Sequence, residues 1–518
     1  MKLLVAVLLS SCAATAQVSS GTFFGEVRDA SHALVPGAHV VARSAATGFV
    51  RTTVTNDSGS YSIDGLAAGS YSVRAEKPGF QVTVAREAVL EVNQKGRLDF
   101  ELKPGEASTS VDVVADVSPL QASDATAGAY FETSSVSSLP LVGRNIVSLI
   151  TVGPGAIPRQ LSGFYHDTIT DLQGNRGLVG LNHPINGGRS TMNMYLLDGA
   201  NNTDRNTFSI AVVPPLESVQ EFRVQTSLAA AEFPNAGGGV IDVITKSGSQ
   251  VLHGSAYEYL RNEATDAHSF FDDPSLPRPI FRQNQFGGSV GGQVPLPSTF
   301  FFAAYDGLRG QAAASTLHLF PNTALRAGDF ADRNPIFDPL TADTVTGQRA
   351  PLPGNRIPAS RIDGIARKYV DTYLPLPNRP EGATNYLDST ADRHDNDSAN
   401  GRLDHQFRDG SSLFGHYTIN DERGRLGRAF PERPSLENLR AQQVSLGYLR
   451  TGSNWSGEGR LAYTRLRVFN VPESAFQKDV MAELGIQGFS SDPFFYGLPY
   501  FLVTNFETVI DTTTLPQV

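Results

Sequence analysis

The chain has 518 residues, enough for about three domains, and combines 49 Gly and 31 Pro with only 18% charged residues, a composition that favours strands and turns. Basic residues number 42 and acidic residues 52, for a net charge of −10, and no run of Lys or Arg could neutralise a phosphate backbone, so nucleic acid is excluded as a partner. A single cysteine, Cys12, excludes a disulfide framework and a cysteine-built zinc site.

The first segment, residues 1–16, reads as a secretory signal: Lys2, an apolar stretch from Leu3 to Leu9, and the small-residue cleavage site Ala14-Thr15-Ala16. Leu9-Ser10-Ser11-Cys12 also fits a lipoprotein box, which would retain Cys12 as an acylated N-terminus. No later segment reaches about 18 consecutive apolar residues, so any membrane insertion runs through β-strands.

Residues 17–105 alternate in short runs between turn residues, the pattern of an antiparallel β-sandwich in which Tyr71, Val73 and Ala75 face one way. Asn56-Asp57-Ser58-Gly59 between Thr52–Thr55 and Tyr61–Ile63 predicts a hairpin, because Asx and Gly supply the positive φ of a tight turn. Asp57 and Asp64 lack the carboxylate spacing of a calcium loop and are read as turn formers. GTFFGEVRDASHALVPGAHVVA followed by TNDSGSYSIDGLAAGSYSVRAEKPGF resembles the carboxypeptidase regulatory-like domain, a transthyretin-like sandwich related to carbohydrate-binding folds. No metal-ligand set accompanies it, so the resemblance implies no peptidase chemistry.

Residues 106–125 read as a Pro-, Ser- and Ala-rich linker. Inside it, Ser110 with Val111, Asp112, Val113, Val114 and Ala115 forms a β-prone string able to add to the edge of a partner's sheet. The string resembles a TonB box, which implies TonB as partner; the other reading is an end strand of a neighbouring domain.

Residues 126–250 carry the densest signal. Tyr195-Leu196-Leu197 is a short apolar strand ended by the turn dipeptide Asp198-Gly199, and Val219–Val224 alternates as a half-buried strand. Gly237, Gly238 and Gly239 precede the apolar run Val240–Thr245; no GxxxxGK[ST] or GxGxxG pattern surrounds them, so close backbone approach explains the triplet rather than phosphate binding. Taken in order, LPLVGRN, INGGRSTMNMYLLDGANNTD and LESVQEFRVQTSLAAAEFPNAGGGVIDVITKSG resemble the plug domain of TonB-dependent outer-membrane receptors. Asn186, Gly187, Gly188 and Arg189 fall on the family's glycine–arginine turn and Leu196–Gly199 on its LLDG element. The SLAAAE stretch at Ser227–Glu232 resembles the Oar-like branch rather than siderophore receptors. The resemblance implies that Arg189, Asp198 and Glu221 hold the plug inside a barrel.

From residue 251 to 518, aromatic and polar residues alternate in short runs. Leu413, Gly415, Tyr417 and Ile419 share one face and Phe414, His416, Thr418 and Asn420 the other, as in an outer-membrane barrel wall. Seven strands are expected, near 251–260, 284–294, 300–309, 401–408, 412–420, 441–451 and 455–468, fewer than the 22 of a plugged transporter, so the barrel reads as partial and the chain as a fragment. Residues 310–400 read as an outside loop with a short helix from Gly364 to Tyr373, and Asp392–Asp397 as a polar turn.

No HExxH or HxH motif and no GxSxG nucleophile elbow occurs. The chain therefore reads as a mainly β, non-enzymatic protein. It has a transthyretin-like sandwich, an α+β plug and the first part of an antiparallel outer-membrane β-barrel, with no catalytic residues, metal or cofactor. The resemblance implies a cell outer-membrane receptor with its sandwich in the periplasm, energised through TonB and its inner-membrane complex. It would sit in outer-membrane lipid and import an external substrate, peptide or carbohydrate. The alternative is a secreted or surface-attached glycan-binding adhesion protein on a soluble β-scaffold.

Overall fold

The computed structural model describes residues 20–91, 94–105, 110–114, 127–139, 141, 144–157, 183–205, 208–227, 233, 236–267, 278–313, 315–380, 382–426, 435–452, 455–499 and 506. The secretory signal, Cys12, Ala115, nearly all of the SLAAAE stretch and the last twelve residues lie outside the described residues.

The N-terminal unit contains β1 (Gly21–Asp29), β2 (His39–Ser44), β3 (Val50–Val54), β4 (Ser60–Leu66), β5 (Gly69–Glu76), β6 (Val82–Leu90), β7 (Lys95–Arg97), β8 (Phe100–Leu102) and β9 (Ser110–Val114). One sheet is built around β1, which pairs with β4, β7 and β8; the other is ordered β3-β2-β5-β6-β9. Period-two alternation buries Phe23, Val40, Tyr61, Ile63, Tyr71, Val73 and Leu90 between them, and the Phe23 and Tyr71 rings meet edge-on at 5.8 Å.

Three expectations change here. The Asn56–Gly59 turn exists, with Asn56 Oδ1 accepting from the Ser58 and Ser60 amides, yet it carries the chain from one sheet to the other instead of closing a hairpin. The cause is Thr55, whose hydroxyl donates to the Val35 carbonyl and accepts from the Ala38 amide, so the chain leaves β3 before it can pair with β4. Asp64 is a strand residue of β4 that accepts from the Thr22 and Ser62 hydroxyls, not a turn former. Further on, β9 pairs parallel with β6, so the sandwich sheet reaches Val114, beyond the boundary expected at residue 105.

The middle unit is one five-stranded sheet ordered β10-β13-β14-β11-β12, from β10 (Ala127–Glu132), β11 (Met194–Leu197), β12 (Ala200–Asn201), β13 (Val219–Ser227) and β14 (Val240–Thr245). Only β11 and β14 run parallel. Every residue of β11 and β14 is buried, as central strands covered on both faces require. Asp198 (φ 49°) and Gly199 (φ 68°) both sit in the left-handed region and close the two-residue β11–β12 hairpin, the geometry that an Asp-Gly pair favours.

The third unit is a wall of seven antiparallel strands: β15 (His253–Asn262), β16 (Phe281–Gln293), β17 (Thr299–Ala313), β20 (Ala391–Gln406), β21 (Ser412–Leu426), β22 (Ser435–Thr451) and β23 (Ser456–Pro472), in chain order. Between β17 and β20 lie β18 (Thr316–His318) and β19 (Tyr386–Asp388), paired as a ribbon, and the helix Gly364–Tyr373, capped by Asp363. This stretch is a lobe with its own core: Phe320, Tyr369 and Tyr373 pack on Val480, Leu484 and Leu498. Asp392–Asp397 is not a turn; it opens β20 and pairs residue by residue with β17 and β21. The short links 294–298, 407–411 and 452–455 lie at one end of the wall, and the lobe at the other.

Candidate functional site

The middle unit lies against one face of the wall, and side chains from both sides meet in a buried polar seam. At its centre is Asp198. Its carboxylate accepts from the Thr245 amide (2.8 Å) and hydroxyl (2.7 Å) within the middle unit, then reaches across to Arg402 Nη1 (3.1 Å) and His416 Nδ1 (2.7 Å) on the wall. Arg402 also donates to the Thr245 carbonyl (3.0 Å), pairs with Asp404 (2.9 Å) and lies over the Phe414 ring at 4.8 Å. Burial pushes the Asp198 carboxyl up, but Arg402, then His416 and Thr245, outweigh it and hold it well below the usual carboxylate range.

One pleat away, Asp242 is just as buried. Burial, and then the Asp198 charge, raise its pKa to about 6 against the pull of Arg460, the Gly199 amide and Arg223. The Arg460 guanidinium lies on Gly199, so any side chain at that position would collide with it.

A second cluster gathers around Arg144, itself at a left-handed φ of 54°. Its guanidinium pairs with Glu217 (2.6 Å) and stacks over Tyr257 and Tyr259 of β15 at 4.2 and 5.2 Å. Tyr257 in turn donates to Asp306 of β17, which also accepts from Gln285 (3.2 Å). On β21, Asn420 clasps the backbone of Val213, accepting from its amide (3.0 Å) and donating to its carbonyl (2.7 Å). Leu439 and Ala441 of β22 complete the middle unit's apolar core.

Of the residues singled out from sequence, Asp198 and Gly199 touch the wall. Glu221 is buried inside the middle unit, where it hydrogen-bonds the Tyr130 hydroxyl, and Arg189 is exposed ahead of a 3-10 turn. Asn186 (φ 51°) and Gly187 (φ 72°) make a turn in which Asn186 donates to the Thr226 carbonyl; Gly188 donates its amide to the Ile185 carbonyl (2.9 Å). Gly238 donates to the Met192 carbonyl and Gly239 to the Asn193 side chain, while Gly237 packs by Met192. A Cβ on Gly239 would fall 2.5 Å from Ile185 and 2.9 Å from the Gln225 carbonyl, so close backbone approach demands glycine there. The four strand residues Val111, Asp112, Val113 and Val114 lie on β9. Sequence reasoning did not single out Arg144, Glu217, Asp242, Arg402 or Arg460; the signal for Arg402 was a charge on the polar side of a wall strand. Among the described residues, no three His, Cys, Asp or Glu side chains are grouped to hold a metal ion.

The sandwich meets the wall at its short-link end through the Ala46–Thr47 loop and through Gly65 of β4, which lies against Leu449 and Thr451 of β22. The Gln250 amide donates to the Ala46 carbonyl (3.0 Å), Gln250 Nε2 to the Thr47 carbonyl (3.1 Å) and Gln406 Nε2 to the Thr47 hydroxyl (3.3 Å).

Comparisons with known proteins agree with this architecture. The carboxypeptidase regulatory-like domain family matches residues 22–103. The TonB-dependent transporter Oar of Myxococcus xanthus is 28% identical over 328 residues, which cover 58% of this chain and 27% of the relative, so the chain spans about a quarter of that protein's length. Among solved structures, the outer membrane transporter YddB from Escherichia coli matches over 67% of this chain and 40% of its own, with 13% identity and a TM-score of 0.44. A mutant ferric enterobactin receptor from Pseudomonas aeruginosa matches over 67% and 42%, with 14% identity and a TM-score of 0.38. The family described as outer membrane beta barrel domain matches residues 244–518, more than half the chain, in place of the soluble scaffold weighed as the alternative; the chain belongs to that outer-membrane β-barrel family.

Proposed function

We propose that this chain is the receptor portion of a TonB-dependent outer-membrane transporter, in which the middle unit is a plug that moves to admit an external substrate. The observation that carries the reading is the seam itself. Asp198, Arg402 and His416 join plug to wall through ionised and hydrogen-bonding groups that can separate and re-form, beside the apolar contact made by Leu439 and Ala441. The Oar relative is by name a TonB-dependent transporter, which supports the same class. A peptide or a carbohydrate would suit the substrate role.

In this reading the short-link end faces the periplasm, with the sandwich docked on it, and the lobe faces outside, since outer-membrane barrels keep short turns inside and long loops outside. The strand Ser110–Val114 is the coupling element. It occupies the last place in the sandwich sheet, where an edge strand presents unpaired backbone groups to which the TonB domain can add a strand. The inner-membrane complex then supplies the pull. Deleting residues 110–115 in the intact protein abolishes uptake while leaving surface binding of substrate at the wild-type level; undiminished uptake by the deletion variant contradicts the proposal.

A further inference from the structure

The register of the wall sorts its outward face into rows. One row carries Val290, Tyr417, Val444 and Tyr463, and the next toward the short-link end carries Leu403, Leu446 and Leu461; all of these are exposed. Trp455 and Tyr448 close the band below. Trp455 to Tyr463 is a run of nine residues, within the roughly 9–11 with which a tilted barrel strand crosses the hydrocarbon.

Directly above this band, on the lobe side, the same face turns cationic. Arg465 follows Tyr463 by one pleat and Arg467 by two, and Arg467 stands directly opposite Arg440 on β22, which itself stands opposite Asp421 on β21. Asp421 is shared: it pairs with Arg440 and with Arg423 (3.2 Å). Neither Arg465 nor Arg467 has a carboxylate partner among the described residues; Arg467 lies over the Phe469 ring at 5.9 Å. Arg423 also stands opposite Asp395 and near Asp397 on β20, so the carboxylates gather on the β20–β21 side and Arg440, Arg465 and Arg467 leave an excess of positive charge on the β22–β23 side, in a chain whose net charge is −10. Like charges directly opposite on neighbouring strands repel, so Arg440 and Arg467 hold a costly arrangement unless an anion lies between them. Arginine forks grip phosphate oxygens in pairs, and a site one or two pleats above the hydrocarbon is at headgroup depth.

We propose that Arg423, Arg440, Arg465 and Arg467 form a binding site for a phosphorylated headgroup of an outer-leaflet lipid, gripped from the lipid-facing side of the wall. The inference rests on the outward placement of the lobe proposed above. That placement is tested separately by attaching a membrane-impermeant thiol reagent to Val345→Cys in intact cells, which labels from outside if the placement is right.

The test uses the full chain in detergent, titrated with micelles of bis-phosphorylated lipid A, of the same lipid after phosphate removal, or with inorganic phosphate alone. Wild type binds the phosphorylated lipid at least tenfold more tightly than the dephosphorylated one and gains nothing from inorganic phosphate. The triple variant Arg440→Gln/Arg465→Gln/Arg467→Gln loses about tenfold in affinity, whereas Arg356→Gln on the lobe changes nothing. If the triple variant fails to fold, Arg465→Gln alone, which breaks no ion pair, lowers affinity about threefold. Equal binding of the dephosphorylated lipid, equal competition by inorganic phosphate, or wild-type affinity in the folded arginine variants overturns the proposal.

Discussion

The wall holds its two neighbours by different means. The middle unit, the proposed plug, is held by ionised groups taken out of water, with Asp198 bonded at once to Thr245, Arg402 and His416. The sandwich is held by three neutral hydrogen bonds at Ala46 and Thr47 and by the packing of Gly65 against Leu449 and Thr451. A buried charge removed from its partner leaves the partner stranded, so the first junction is all-or-none; an exposed amide bond is replaced by water, so the second can open and close at little cost. The proposed mechanism, in which the sandwich offers its edge strand while the plug stays seated until pulled, needs that contrast.

The largest expected effect is at the centre of the seam. Asp198→Ala takes the shared carboxylate from Arg402, which keeps Asp404, and from His416, and leaves the buried Thr245 amide without its acceptor; it lowers unfolding stability by roughly 3 kcal/mol, read from urea unfolding of the detergent-solubilised protein. The wild-type contribution of this carboxylate is present above its ordinary pKa near 3.8 and is lost as pH falls below it, because its folded pKa is lowered.

Asp242 has the opposite sign. Its folded pKa is raised to about 6, so its stabilisation is present below about 4 and is lost as pH rises through 6. Asp242→Asn keeps an acceptor for the Gly199 amide and removes the buried charge. It raises stability at pH 7 by roughly 1–3 kcal/mol and flattens the stability profile between pH 4 and 6, where wild type declines. A variant that is destabilised at pH 7 shows instead that Asp242 serves as the counter-ion of Arg460.

The smallest effect belongs to the sandwich. Gln250→Ala removes the side-chain bond to the Thr47 carbonyl and costs less than about 1 kcal/mol. It leaves the wall's unfolding midpoint unchanged while speeding proteolysis between the sandwich and the plug. A loss as large as that of Asp198→Ala removes the contrast between the two junctions.

Much of this architecture was legible in the sequence because it is written in local pattern. Period two gave seven wall strands, Asp198-Gly199 announced its own turn, and the helix Gly364–Tyr373 was visible between its cap and the prolines that follow. What escaped depends on partners far along the chain. Arg402 meets Asp198 from 204 residues away, and no spacing announces such a pair. Strand β20 was missed over Asp392–Asn400 because its outward residues there are charged, as befits wall above the lipid, and charge clusters imitate turns. The Asn56–Gly59 turn was visible, but the sheet to which each flank belongs is set by Thr55 and by core packing.

The central claim is that the plug must part from the wall for substrate to pass. Val213 and Asn420 face each other across the seam within hydrogen-bond distance, and the only native cysteine is Cys12. With cysteines placed at both positions and joined by a short bismaleimide, the intact protein is expected to bind substrate as before and to stop importing it, while the same variant left unlinked imports normally. Undiminished uptake by a fully cross-linked population would contradict the account.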